Sequence, residues 1–514
     1  MIEVEVHQQL RAFLREQGEP YWPHHLTMAR LVARALRLGR SALMQAGAPS
    51  GYHGRYRLSY LMPALIWPGS TILVAPEALQ KRLLIVEIPR LQQWISIQKP
   101  IQVGDRWPDN DFTGLLLTSP QAWLSDQLAA PKLFPTGIPT ILDGVDDLEA
   151  WTREQLTAQI HPQDWDALML TCPEHRQLIR DSRVQLTRAL FDHPANPYEC
   201  HLIEAPERAI LSQLHQAICA SAESQLISMP AVWQQFWQRF QAQGQLLWSS
   251  ILRRQGQFVL CCGPVDLSAN LTTIWPRQPV VLIGGALELT PEAPIYRQKL
   301  GLGEITCLKF SPDRQHECVQ LYLPEHLPMP NTPEFQSALM QEIRTLLCMS
   351  ASGPGLIVLL VNDMPLKAQV GSVLASEFGS RVQVEKTCLD ENAILVTGWE
   401  FWRQYQGVLS SPQLLVIATL PIPSLENPLV AGRVAYYKQA RQDWFRLYLL
   451  PEALSELQRA IAPARDRQGI VALLDNRVNY RSYGHQVLSA LSPFARISYI
   501  DSSWFDQPDY SVMD

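Results

Sequence analysis

Short stretches of uninterrupted apolar residues recur along the chain, each closing on a small or polar residue. They are TILVAP (71–76), GLLLTSP (114–120), PTILDG (139–144), PVVLIGG (279–285), GLIVLLVND (355–363), AILVTG (393–398), QLLVIATLP (413–421) and GIVALLDNR (469–477). Continuous rather than alternating hydrophobicity over four to seven residues predicts strands covered on both faces, hence parallel sheets flanked by helices in an α/β protein. In such doubly wound sheets a ligand sits beyond the carboxyl ends of the strands, so the residues closing each run are the first candidates for a site.

The runs form two groups, one before about residue 150 with a latecomer near 280, the other after about 355. Residues 151–250 lack such runs and predict helices, among them AVWQQFWQRFQ, where Trp233, Phe236, Trp237 and Phe240 share one face. That stripe reads as core packing in preference to base stacking. The expected layout is a first α/β domain from 1–150, a helical insertion over 151–255, a return to the first domain over 256–300, and a second α/β domain over 301–514. A length of 514 residues agrees with roughly two to four domains.

With 47% hydrophobic and 18% charged residues, the composition is that of packed globular units. The nine cysteines contain no C-x-x-C pair, which excludes the common zinc spacings and a disulfide framework, and no metal site is predicted. Cys261 and Cys262 in QFVLCCGPV read as core strand residues. No apolar run approaches the ~18 residues of a membrane span, so the expectation is a cytoplasmic protein without a membrane partner.

The net charge of −6 is unevenly spread. Between Pro20 and Pro76 there is no Asp or Glu, while Arg30, Arg34, Arg37, Arg40, Arg55 and Arg57 all fall there. Arg30, Arg34 and Arg37 lie at i, i+4 and i+7 on one predicted helix face, either a solvated face or an anion-attracting surface. The same segment holds GAPSGYHGRYRLSY (47–60), placed after an apolar stretch and before a predicted helix, where a phosphate-gripping loop would sit. A working loop needs G-x-x-x-x-G-K-[ST], and no glycine pair here has that spacing; after Gly54 come Arg55 and Tyr56 where Lys and Ser or Thr belong. The basic and aromatic residues Tyr52, His53, Arg55, Tyr56 and Arg57 suit either a phosphate backbone with stacked bases or a surface loop covering the next helix.

The wider sequence resembles the DinG and XPD type of superfamily-two DNA helicase. YWPHHLTMARLVARAL, ALMQAGAP, LSYLMPAL and ILVAPEALQKRL are similar to its first segment, with LAYLLPAL-like and TPTxxLQxQL-like motifs. LLLTSPQAWL (115–124) resembles VVTNHALL, TILDGVDDLEAW (140–151) resembles the VIDEAHNLE Walker B and DEAH box, and VLIGGAL (281–287) resembles LTSATL. LIVLLVNDMPL (356–366), TGWEFWRQYQG (397–407) and LQRAIAPARDRQGIVALLDNRV (457–478) follow in the family's order. The resemblance implies two RecA-like domains in tandem, ATP with magnesium as cofactors, and single-stranded DNA or RNA as partner. It carries catalytic roles to Asp143 and Arg465 and nucleotide contacts to Gly47, Gly51, Gly54, Arg55 and Gln458, while the acid-free, arginine-rich stretch offers Arg30, Arg34, Arg37 and Arg57 as nucleic-acid contacts.

Several chemically necessary residues depart from the family pattern. Asp143 remains, but Gly144 replaces the glutamate that orients water, and Asp146 holds the position of the box's histidine. The Ser-Ala-Thr hydroxyls become Gly284, Gly285 and Ala286, and Ala462 replaces the arginine that contacts the γ-phosphate. No cysteine lies between residues 1 and 171, so the family's iron-sulfur cluster is not expected. Three readings result: a helicase-derived nucleic-acid-binding protein with a degenerate motor, an active ATP-dependent helicase gripping phosphate through Arg55, or a non-catalytic scaffold or regulatory subunit with a protein partner.

Overall fold

The computed structural model describes residues 1–18, 20–48, 53–95, 99–129, 133–222, 229–312, 316–350 and 355–501. Strands β1 (Ala42–Gln45), β2 (Thr71–Val74), β3 (Ile101–Val103), β4 (Leu115–Thr118) and β5 (Thr140–Asp143) open the first lobe. An insertion follows with β6 (Ala158–Ile160), β7 (Cys200–Leu202), β8 (Gln245–Leu252) and β9 (Gln257–Pro264). The chain then returns through β10 (Val280–Gly284) and β11 (Thr306–Lys309). Among the described residues the first lobe is a seven-stranded parallel sheet in the order β11-β1-β10-β5-β2-β4-β3.

The second lobe holds β12 (Val319–Tyr322), β13 (Ile357–Leu360), β14 (Val382–Val384), β15 (Ile394–Thr397), β16 (Leu414–Ile417), β17 (Ile470–Leu473) and β18 (Phe494–Ile497). These form a second parallel sheet in the order β14-β15-β13-β16-β17-β12-β18. The apolar runs are continuous because each sheet has a core on both faces. Within β1, Leu43 and Met44 enter different clusters; within β13, Ile357 and Leu359 face one core while Val358 and Leu360 face the other. The tandem parallel-sheet architecture expected from the sequence is present.

One expected element content and one expected boundary differ in the structure. The insertion is not wholly helical, since β6-β9-β8-β7 form an antiparallel sheet of their own. Trp233, Phe236, Trp237 and Phe240 are buried in its core, and Cys261 and Cys262 are buried in β9. The first lobe also extends past 300, because β11 pairs in parallel with β1. No helix among the described residues is long and apolar enough to cross a membrane.

Candidate nucleotide seam

Register brings the candidate site to one edge of the first sheet. Gln45 pairs with Gly284 and Asp143 with Ile283, so the chain leaves β1, β5 and β10 at one level. Gly47, just after β1, takes a left-handed turn (φ +88°). Gly51 and Tyr52 lie outside the described residues. Gly54 is also left-handed, and a Cβ there would collide with the Arg57 guanidinium. Glycine thus opens the space into which Arg57 folds back.

The short helix Arg55–Arg57 and the helix Leu58–Ile66 then carry Tyr56 and Tyr60 on one face, four residues apart. Both phenols donate to Asp143, Tyr56 to Oδ1 and Tyr60 to Oδ2 at 2.7 Å. The Arg57 Nε lies 3.5 Å from the same carboxylate. Burial raises both phenol pKa values well above the ordinary range, and the Asp143 charge adds to the effect. Burial opposes the Arg57 charge, but Asp143 outweighs it and holds the guanidinium above its usual value. Arg57, largely covered, is therefore a counter-charge turned toward Asp143, and Tyr56, buried more completely, offers no face for a base.

Beyond β5, Gly144 has φ +83°, a conformation that glycine adopts without strain. The next turn aims Asp146 at the loop after β10, where it accepts from the Gly285 and Ala286 amides at 2.7 Å each. A Cβ at Gly284 would approach the Asp146 carboxylate to 2.9 Å, so the small residue makes room for it. Burial raises the Asp146 pKa, opposed by Arg459 and the two amides.

The second lobe meets this edge through the helix Leu450–Ala460. Leu450, Ala453, Leu454, Leu457 and Ala460 bury into its own lobe, while Glu452, Ser455 and Arg459 point across the seam. Arg459 donates to both Asp147 oxygens at 2.9 and 3.3 Å, and Ser455 to the Ala286 carbonyl at 2.6 Å. Glu452 lies 3.8 Å from the Lys299 Nζ, which is also 3.4 Å from Glu149. Sequence reasoning did not single out Arg459, because Asp147 is 312 residues away and nothing local marks the pair.

Three further expected contacts are placed elsewhere. Arg55 is 3.1 Å from Asp466 of the second lobe, which His53 also contacts. Gln458 donates to the Leu454 carbonyl of its own helix at 3.3 Å. Arg465 is buried and donates to the carbonyls of Glu317, Leu491, Ser492 and Pro493 at 2.6–3.1 Å. With these donors committed to backbone inside the second lobe, Arg465 ties together the segments around 317 and 491–493 and points away from the seam's polar groups. Of the surface arginines, Arg30 and Arg34 are exposed and Arg37 pairs with Glu3 at 2.7 Å. All three line a groove of about 570 Å³ between the helices Ile2–Gln17 and His25–Leu38.

The family model described as the helicase C-terminal domain matches residues 409–494. The ATP-dependent DNA helicase YoaA of Escherichia coli (strain K12) is 33% identical over 109 residues, 20% of this chain and 17% of that protein. YoaA of Haemophilus influenzae (strain ATCC 51907 / DSM 11121 / KW20 / Rd) is 26% identical over 214 residues, 39% of this chain and 33% of that one. The chain thus matches a third or less of these relatives' length. Xpd4 of S. tokodaii shares the fold with a TM-score of 0.59 and 13% identity, covering 93% of this chain and 100% of that one. A second XPD helicase structure gives 0.58 and 11% at the same coverage.

The two parallel-sheet lobes, and the fold they share with the solved XPD structures, are those of tandem RecA-like domains. The helicase C-terminal match and the YoaA relatives make the chain similar to helicases of the DinG/XPD type over those parts of its length.

Proposed function

We propose that this chain is a helicase-derived nucleic-acid-binding protein whose motor no longer binds or hydrolyses magnesium ATP. One observation carries the reading: Tyr56 donates directly to Asp143. In P-loop motors a Ser or Thr and the Walker B Asp hold magnesium between them. Tyr56 occupies the Ser/Thr position, and its longer side chain spans the gap that the ion would fill. Tyr60 and Arg57 engage the other Asp143 oxygen, and Asp466 engages Arg55, so this donor set does not fit a magnesium triphosphate. Gly144 supplies no base, and the left-handed backbone disfavours a glutamate in its place.

Nucleic-acid binding is supported by the family relationship and by the exposed Arg30 and Arg34. The test pairs two assays on the purified chain. Fluorescence polarisation with labelled single-stranded DNA and RNA is expected to show binding that weakens as salt rises. Phosphate release in the presence of the same strands is expected to stay at background. Turnover abolished by Asp143→Asn would return the chain to the active helicases, and salt-insensitive or undetectable binding would favour a scaffold.

A further inference from the structure

Three polar residues spaced along the helix Leu450–Ala460 reach the opposite lobe. Glu452, Ser455 and Arg459 stand at i, i+3 and i+7, a spacing that puts them on one side of a helix whose other side is sunk in the second lobe's core. Each meets a different element of the first lobe: Lys299 before β11, the carbonyl of Ala286 after β10, and Asp147 after β5. Asp466, in the next short helix, adds a fourth bridge to His53 and Arg55 in the loop after β1.

The charges at these contacts are mutually adjusted. Burial opposes the Arg459 charge, but Asp147 and Asp146 outweigh it and hold the guanidinium above its ordinary value. Burial likewise opposes the Lys299 charge, which Glu149 and Glu452 offset. Arg459 and Lys299 are largely covered while Asp147 and Glu452 stay partly exposed, so it is the two cations that depend on their partners across the seam. All four bridges join protein directly to protein, and three of them use segments that would face the phosphates in a working motor.

We propose that these bridges hold the two lobes closed without nucleotide, with the helix Leu450–Ala460 and Asp466 replacing the triphosphate as the link between them. The proposal rests on the reading of the seam given above but concerns lobe closure, not turnover. A lobe pair fastened in this way presents its ligand-binding face in one shape, whereas a motor's lobes would close only when nucleotide arrives.

Hydrogen exchange of the full chain, followed by mass spectrometry over 145–147, 284–287 and 450–460, measures closure directly. In the nucleotide-free wild type these segments are expected to be protected, and adding magnesium ATP is expected to change nothing. Arg459→Asp, which sets like charges against Asp147, is expected to speed exchange there by on the order of tenfold, while the core strand β13 stays protected. Adding Asp147→Arg to that variant restores the opposite pair and is expected to restore protection. If Arg459→Asp does not fold, Arg459→Gln serves with the same expected direction. Wild-type segments that are unprotected until magnesium ATP is added would overturn the proposal, as would unchanged protection in the single variant. Phosphate release by a chain that stays closed without nucleotide would instead sink the loss of hydrolysis and leave the fastening intact.

Discussion

Asp143 shows how a single residue in this chain serves packing where the family pattern leads one to expect ligand chemistry. In a motor, replacing the Walker B aspartate removes a metal ligand and leaves the fold unburdened. Here Asp143, itself buried, is the counter-charge of the largely covered Arg57 and the acceptor for two phenols. Asp143→Asn is therefore expected to destabilise the chain by about 3–5 kcal/mol, the usual cost of breaking a buried pair, as measured by urea unfolding. An unchanged or higher stability would mean that the carboxylate is strained in readiness for a ligand. His25, which opens the helix His25–Leu38, is turned inward. Its Nδ1 accepts from the Ser59 hydroxyl and its Nε2 donates to the Pro20 carbonyl, each at 2.9 Å, an arrangement that suits the neutral ring. Burial lowers its pKa to about 4 from 6.5. Between those values the unfolded chain binds more protons than the folded one, so this contribution is complete above pH 6.5 and is lost as pH falls toward 4. The loss reaches about 3 kcal/mol. The wild type should lose more stability than His25→Gln between about pH 7 and pH 4.5, and parallel losses in the two would show that the ring is not the titrating group.

Elements were legible in proportion to how completely they are buried. β2, β4, β5, β13 and β16 are covered on both faces, and their apolar runs announce them. The insertion sheet lacks that signal. β6 and β7 are three residues each, and β8 buries Leu247, Ser249 and Ile251 alternately, a period of two that a search for continuous runs passes over. β11, TCLK, is a partly exposed edge strand, so its sequence does not betray membership of the first sheet. The short helix Ala462–Asp466 shows the converse difficulty. Its motif position marks Arg465 as catalytic, yet the four carbonyls it binds come from 317 and 491–493, which no local reading connects. Arg465→Ala is expected to cost on the order of 3 kcal/mol or more, since it strands buried carbonyls between this helix, the entry to β12 and the entry to β18. Full stability together with loss of a measurable turnover would restore the catalytic role.

At the scale of the molecule, the seam is the feature least accessible to sequence. Its parts come from loops after β1, β5 and β10 and from a helix whose Arg459 lies 312 residues beyond Asp147. Its hydrophobic framing survived, so the family and the two lobes could be read. The partners of Asp143 and Asp147 could not, since such contacts are set by register and lobe packing. A ligand bound at 100 times its dissociation constant adds about 2.7 kcal/mol to folding stability, which raises a melting temperature measurably. Magnesium ATP in the millimolar range is accordingly expected to leave the melting temperature of this chain unchanged, whereas single-stranded DNA is expected to raise it. The two ligands separate the two halves of the reading. A shift with magnesium ATP that disappears in Asp143→Asn, after allowing for that variant's own lower stability, would mean that Tyr56 and Tyr60 swing away and that the metal position is covered but not lost. A shift with DNA alone leaves the phenol bridge as the resting and working state of the seam, and binding by this chain then needs no nucleotide cycle.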